Sequence, residues 1–393
     1  MGGRIMGAPT GLVAAACASV LVGCAAGPDG ASELPRWSVV EELRIGSVDD
    51  PTKLISTVSA LAVDDDGRMY LAQPDDGTVR VFDGAGILVD FIGRRGPGPG
   101  EFQRLYTLGL LADTLYTIDF GHHRIDYFSL DGELLRSDDV PPPPVGPPLT
   151  PAMPFAVFPD GSRAIGTAFA SNTSPEELRR VPQLRTDRTG LVLDTVGWIS
   201  YERSARRAIY EGRPLAVGSP FSDDAFVLFS DDGAKVAAVD RTVAAGPDEA
   251  SFGITLTDRA GDTVFSRRYD YVPTTIPTAV VDTTVADRAE IFAAAFPDPR
   301  EAHNFVRNTM FLPVYYPPVT TVSFSDTGEL WVGREEIRGE QQRWLILDEA
   351  GEPVAETRTP EGVRVMHIGT DRVWGVELDE RAVPYLVRYR IDR

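Results

Sequence analysis

The chain has 393 residues, 43% of them hydrophobic, and a formal charge of −20. That composition describes a folded protein and not a disordered one. A charge so negative argues against nucleic acid, whose binding rests on Lys and Arg neutralising phosphates, and against attraction to anionic lipid.

The N-terminus reads as an export signal. Arg4 precedes an apolar, small-residue run that ends in Leu21-Val22-Gly23-Cys24. The run is too short and glycine-rich for a transmembrane helix but suits a signal-peptide core. Its last four residues look like a bacterial lipobox, in which Cys24 is lipidated and becomes the mature N-terminus. Cys17 lies inside the signal, so the mature chain has no pair of cysteines to join. Residues 1–23 are thus expected to be removed, and residues 24–36 to form a flexible tether. Ala25-Ala26 follow the cysteine without an Asp, which favours an outer membrane over an inner one.

From residue 37 onward a repeat dominates. LAVDDDGRMYLAQ (61–73) is strand, Asp-Gly turn, strand; VRVFDGAGILVDFIG (79–93) repeats the pattern. Paired hairpins of this kind recur at 108–137, 155–197, 225–269, 322–356 and 365–391. The second hairpin of a unit usually turns on D-x-x-G, as at Asp83–Gly86 and Asp348–Gly351. The sixth unit stops after its third strand, and WSVVEELRIG (37–46) is a strand without a unit. A ring closed by that strand leaves no open sheet edge. The expected fold is all-β: a six-bladed β-propeller over residues 37–393, its last blade completed by the N-terminal strand.

Three stretches interrupt the rhythm. The proline run at 141–154 is expected to be an extended spacer. Residues 198–217, rich in Arg and Tyr, read as irregular. Residues 282–311 hold the one good helix, with Thr284 and Asp287 as a capping-box-like start and Val285, Ala289, Phe292 and Phe296 on one face. Pro297 ends it.

FIGRRGPGPGEF (91–102) poses the sharpest functional question, because glycines beside Arg94 and Arg95 can cradle phosphate. No Lys-Ser/Thr pair follows, a strand and not a helix comes next, and Pro97 and Pro99 remove two backbone donors. The segment therefore reads as a structural joint. Gly96, Gly98, Pro99, Gly100, Glu101 and Phe102, together with the D-x-x-G hairpins, resemble the NHL-type six-bladed propellers, where such a segment links one blade to the next. The chain is also similar to bacterial envelope lipoproteins that carry such a propeller, for which no activity is generally assigned.

Chemistry is sparse. The four histidines are His122, His123, His303 and His367, and neighbouring residues on an extended chain do not chelate together. The Asp-rich turns Asp64-Asp65-Asp66-Gly67 and Asp231-Asp232-Gly233 lack EF-hand spacing and read as hairpin chemistry. Asp326–Trp331 resembles a sialidase Asp box, but Phe324 replaces its hydroxyl residue, so it reads as a hairpin with a core Trp. No G-x-S-x-G is present. No catalytic residue, resident metal or cofactor is expected. Candidate binding residues are Arg94, Arg95, His122, His123, Tyr201, Arg203, Arg206, Arg207 and Tyr210, all in loops or insertions. The leading expectation is a lipid-anchored, extracytoplasmic binding or scaffold module for a protein, peptide or glycan. The alternative is a metal-dependent hydrolase or lyase with its site in the central tunnel, as in propellers of the gluconolactonase and paraoxonase type.

The anchor has a direct check. Cys24→Ser is expected to move the protein from the membrane to the soluble fraction; retention in the membrane would show that Cys24 carries no anchor.

Overall fold

The computed structural model describes residues 34–393 except 48, 51–52, 146–148, 170–179, 201, 244–245, 247, 249, 336 and 338. The signal, most of the tether and Cys24 lie outside the described residues. Six four-stranded antiparallel sheets follow one another along the chain.

A single strand comes first, β1 (Ser38–Ile45). Blade one is β2–β5 (Ala60–Val63, Met69–Gln73, Thr78–Phe82, Leu88–Ile92). Two short strands then pair in parallel, β6 (Arg94–Arg95) and β7 (Glu101–Phe102). Blade two is β8–β11 (Leu105–Leu111, Thr114–Asp119, Arg124–Ser129, Leu134–Asp139). Blade three is β12–β15 (Leu149–Val157, Arg163–Phe169, Val181–Thr186, Val192–Ile199), followed by a separate hairpin, β16–β17 (Ala205–Tyr210, Arg213–Gly218). Blade four is β18–β21 (Phe226–Phe229, Lys235–Asp240, Ser251–Asp258, Thr263–Asp270). Helices α1 (Thr278–Phe292) and α2 (Pro299–Thr309) separate it from blade five, β22–β25 (Val319–Phe324, Leu330–Arg334, Gln342–Leu347, Pro353–Thr359). Blade six is β26–β28 (Val363–Ile368, Arg372–Leu378, Pro384–Asp392), with β1 as its outer strand.

The closure expected from sequence is present. β1 runs antiparallel to β28 with Ser38 opposite Asp392 and Ile45 opposite Leu386, through one bulge at Glu41–Leu43. The first strands ring the axis: β2 lies beside β8, β8 beside β12, β18 beside β22, β22 beside β26, and β26 beside β2. Middle strands are buried on both faces, as in MYLAQ and TVRVF of blade one, because each is sandwiched between neighbouring blades. That is why MYLA reads as a continuous apolar run and not as alternation, while TVRVF buries the polar Thr78 and Arg80 along with its valines. The chain engages the ring even before β1, since Trp37 N–H donates to Glu356 O and Leu34 packs on the core of blades four and five.

The glycine-rich joint is a structural connector. Phe102 is fully buried between blades one and two and meets Phe128 edge-on at 6.2 Å. Gly93 has φ +70°, and a Cβ there would stand 2.3 Å from the Phe102 ring. Only glycine meets both conditions.

Four details differ from expectation. The helix begins at Thr278, after Pro277 at φ −61°; Thr284 lies inside it, its hydroxyl donating to Val280 O at 2.8 Å, so it caps nothing. A second helix follows Pro297, started by Asp298, which accepts from Arg300 N–H at 2.8 Å, and by Pro299. The supposedly irregular 198–217 stretch contains the hairpin β16–β17, and both insertions share one core: Val217 packs with Val285, Ala289, Phe296, Ala302 and Val306. Part of the proline run (149–154) belongs to β12, whose pairing shifts register at Pro151 and Pro154 because proline cannot donate to the ladder.

Phe102→Ala is expected to cost about 3–5 kcal/mol in chemical denaturation, as for other large-to-small aromatic truncations. The same measurement on exposed Val272→Ala should show little change.

Candidate functional site

Most arginines singled out from sequence serve the fold. Arg94 forms an ion pair with Glu101 at 2.7 Å, and Glu101 also accepts from Gly98 N–H at 2.8 Å. The Gly98 amide first, then Arg94, holds the Glu101 carboxyl below the usual range. Arg95 donates to Asp75 O at 2.6 Å. In the next loop the buried Asp119 carboxylate accepts from the amides of Gln103, Arg104 and His122. His122 Nδ1 is 3.8 Å from that carboxylate, and His123 is exposed in a left-handed conformation at φ +53°.

Tyr201 lies outside the described residues. Arg203 and Arg206 both lie over the Phe311 ring, at 5.0 and 5.2 Å. Arg207 is on β16 with Arg206. Tyr210 is absorbed by the helices: its hydroxyl donates to Glu301 at 2.8 Å and its ring meets Phe296 at 4.0 Å.

One of these side chains reaches a cavity. A groove of about 700 Å³ opens at the junction of blades three and four, with Trp198, Arg180, Arg203, Asp223 and Asp240 on its walls. Arg203 Nη1 donates to the buried Asp223 carboxylate at 2.5 Å, and the Arg203 and Ser204 amides donate to Asp224. This network fixes the loop between β15 and β16 at the mouth of the groove. Trp198 is 53% exposed, whereas Trp331, Trp344 and Trp374 are buried core residues. The second side of Trp198 faces a neighbouring cavity of about 360 Å³ beside Arg267 and Arg268. Sequence reasoning named Arg203 as a candidate binding residue and missed Trp198, since nothing in VGWIS distinguishes a core Trp from an exposed one.

A second convergence lies on the axis. Asp231 in the β18–β19 turn, Asp326 in the β22–β23 turn and His367 on β26 bring one ligand atom each within 4.8 Å of one another. Blades four and six are not neighbours in the ring, so groups from both can meet at that range only near the axis. Among the described residues this is the one place where three His, Cys, Asp or Glu groups meet so closely. Asp231 also raises the Tyr116 phenol of blade two, although burial is the larger cause there. The reading of these Asp-Gly turns as hairpin chemistry is only half correct. Ser230 accepts from Lys235 N–H and Ser325 from Glu329 N–H, while Asp232 accepts from Ala234 N–H. Those residues close the turns, and Asp231 and Asp326 do not. The signal in the sequence was the repeated Ser-Asp-x-Gly, at 230–233 and 325–328.

Solvent reaches the Asp231 carboxylate, yet the surrounding protein desolvates it and pushes its carboxyl up; His367 pulls it back down and Asp326 adds repulsion.

Comparison with known proteins supports the fold. A family model described as "6-bladed beta-propeller" (DUF5128) matches residues 50–145, the stretch that includes blade one, the glycine joint and blade two. It bears out the propeller expected from the resemblance and does not carry the NHL designation. A crystal structure of a DUF4221 family member from Bacteroides vulgatus superposes over 92% of this chain and 100% of its own at 10% identity, TM-score 0.52. Virginiamycin B lyase from Staphylococcus aureus covers 90% and 99% at 10% identity, TM-score 0.41. At such identities only the fold is shared, and the first of the two shows it. No curated protein matches the chain.

The raised Asp231 gives a pH-dependent prediction. A carboxyl whose folded pKa lies above its unfolded value weakens the fold wherever it is ionised, and the penalty vanishes once both states are protonated. In metal-free protein Asp231→Asn is therefore expected to raise Tm at pH 7, with the gain shrinking as pH falls through the carboxylate range. A Tm below wild type at pH 7 would show that the charge is compensated.

Proposed function

We propose that this propeller is a non-catalytic binding module, lipid-anchored outside the cytoplasm, which takes an envelope peptide or glycan in the groove between blades three and four. The observation that carries the reading is Trp198, half exposed between two cavities. An indole left open to water on a rigid strand offers a flat apolar face for a sugar ring or a peptide side chain. Beside it Arg203 and Arg180 present cations, and Asp240 an anion, so the groove can orient a zwitterionic ligand. The Asp223 and Asp224 carboxylates hold Arg203 and its backbone in place before a ligand arrives, which reduces the ordering cost of binding.

Lipid anchoring fits this role, since a tethered receptor meets envelope components at high local concentration. The Cys24 anchor and the envelope location are parts of the proposal drawn from the sequence alone.

Soluble peptidoglycan fragments carry both sugar rings and charged peptide, so they probe the groove in one titration. Calorimetry is expected to show saturable binding that weakens more than about tenfold in Trp198→Ala. Exposed Ile209→Ala, on β16, should bind like wild type. Binding equal in wild type and Trp198→Ala, or none to fragments or to arrayed peptides, would contradict the groove as the binding site.

A further inference from the structure

We propose that Asp231, Asp326 and His367 form a divalent-cation site on the propeller axis, with zinc as the fitting ion. The inference is independent of the groove and assigns no reaction.

The donors come from three blades. Asp231 and Asp326 take the same place in equivalent turns of blades four and five, and His367 stands near the end of β26 in blade six. The position of the blade-five turn is set against blade six by Asp326 N–H donating to Ile368 O at 2.9 Å, one residue from the imidazole. His367 packs on the buried Trp374 ring at 5.2 Å, which restricts its orientation.

The spacing suits a shared ion. His367 Nε2 is 3.3 Å from Asp326 Oδ2. A charge-assisted N–H···O bond is normally shorter, about 2.7–2.9 Å. Two ligands held about 2.0–2.1 Å from a tetrahedral zinc stand about 3.3 Å apart. That pair is therefore already at the separation a shared metal requires, and an Asp231 oxygen lies within 4.8 Å of both.

Charge balance points the same way. The site opens to a cavity of about 390 Å³ lined by Ser230, Asp232, Lys235 and Thr327 besides the two aspartates. Lys235 is the one cation there, and it is paired with Glu349 at 2.9 Å. Two carboxylates thus meet beside a single imidazole, and a dication would turn their repulsion into attraction. The donor set is two carboxylates and one imidazole nitrogen. Calcium and magnesium prefer all-oxygen ligands, whereas zinc accepts this mixture. Three protein ligands leave a fourth position to water from the cavity.

The test uses zinc chloride, manganese chloride and calcium chloride against the detergent-solubilised full chain, first stripped with a chelator. Calorimetry with elemental analysis after dialysis is expected to give one retained zinc per chain, with manganese weaker and calcium without effect. Asp231→Asn and His367→Gln should each weaken zinc at least about tenfold, and His303→Ala, whose imidazole is on α2, should not. Asp231→Asn is isosteric and relieves repulsion, so it reports on binding even if the histidine variant folds poorly. Cobalt in place of zinc should give the visible spectrum of a tetrahedral ion. The proposal is overturned if zinc shows no saturable binding, if binding survives Asp231→Asn and His367→Gln, if His303→Ala removes it, or if calcium binds more tightly than zinc.

Discussion

The pairing of β1 with β28 is the constraint on which the molecule depends. A propeller built in chain order ends with an unpaired sheet edge and a gap between its last blade and its first. Here a strand from the beginning of the chain fills the outer position of the last blade and ties the two ends together through backbone hydrogen bonds. Side chains reinforce the seam. Ile45 joins Trp374, Val376 and Leu386 of blade six to Leu61, Met69 and Phe82 of blade one in one core cluster. Arg388 donates to Gly84 O across the same boundary at 2.7 Å. Just before β1, Trp37 packs on Trp331 of blade five, and Arg393 lies over its ring at 4.3 Å. Without β1, blade six would stop at three strands with β28 as its outer edge; pairing with β1 completes the sheet.

Closure also gives the axis its meaning. Independent blades joined by flexible links would not hold three side chains within a few ångströms of one another. Once the ring is closed, equivalent turns of blades four and five and the first strand of blade six face one another across a narrow space. The groove at Trp198 has a different origin. It exists because the loop between β15 and β16, carried by the inserted hairpin and helices, folds back over the junction of two blades and is fixed there by Asp223 and Asp224. One site thus follows from the repeat and the other from its interruption.

What could be read from sequence follows the same division. The blades, their order and the closing strand were legible because each hairpin announces itself locally, through apolar runs around Asp-Gly turns. The segment around Phe102 was legible as a structural joint because its glycines serve no phosphate. The start of α1 was not, since Pro277 begins the helix while Thr284, an attractive cap by pattern, lies within it. Asp231 and Asp326 were dismissed as turn residues because sequence cannot show that Ser230 and Ser325 already close those turns. His367 could not be grouped with them from sequence, as their meeting depends on three blades separated along the chain. The arginines at 94 and 95 looked functional for their charge, yet Glu101 and the Asp75 carbonyl engage them.

Ring closure can be measured directly by amide hydrogen exchange along β1. If β1 is a full member of blade six, those of its amides that point at β28 should be protected to a degree comparable with β28 and should exchange with the blade as one unit. Exchange of β1 at the rate of an unpaired terminus while β28 stays protected would contradict closure, and with it the rigid axis that brings Asp231, Asp326 and His367 together.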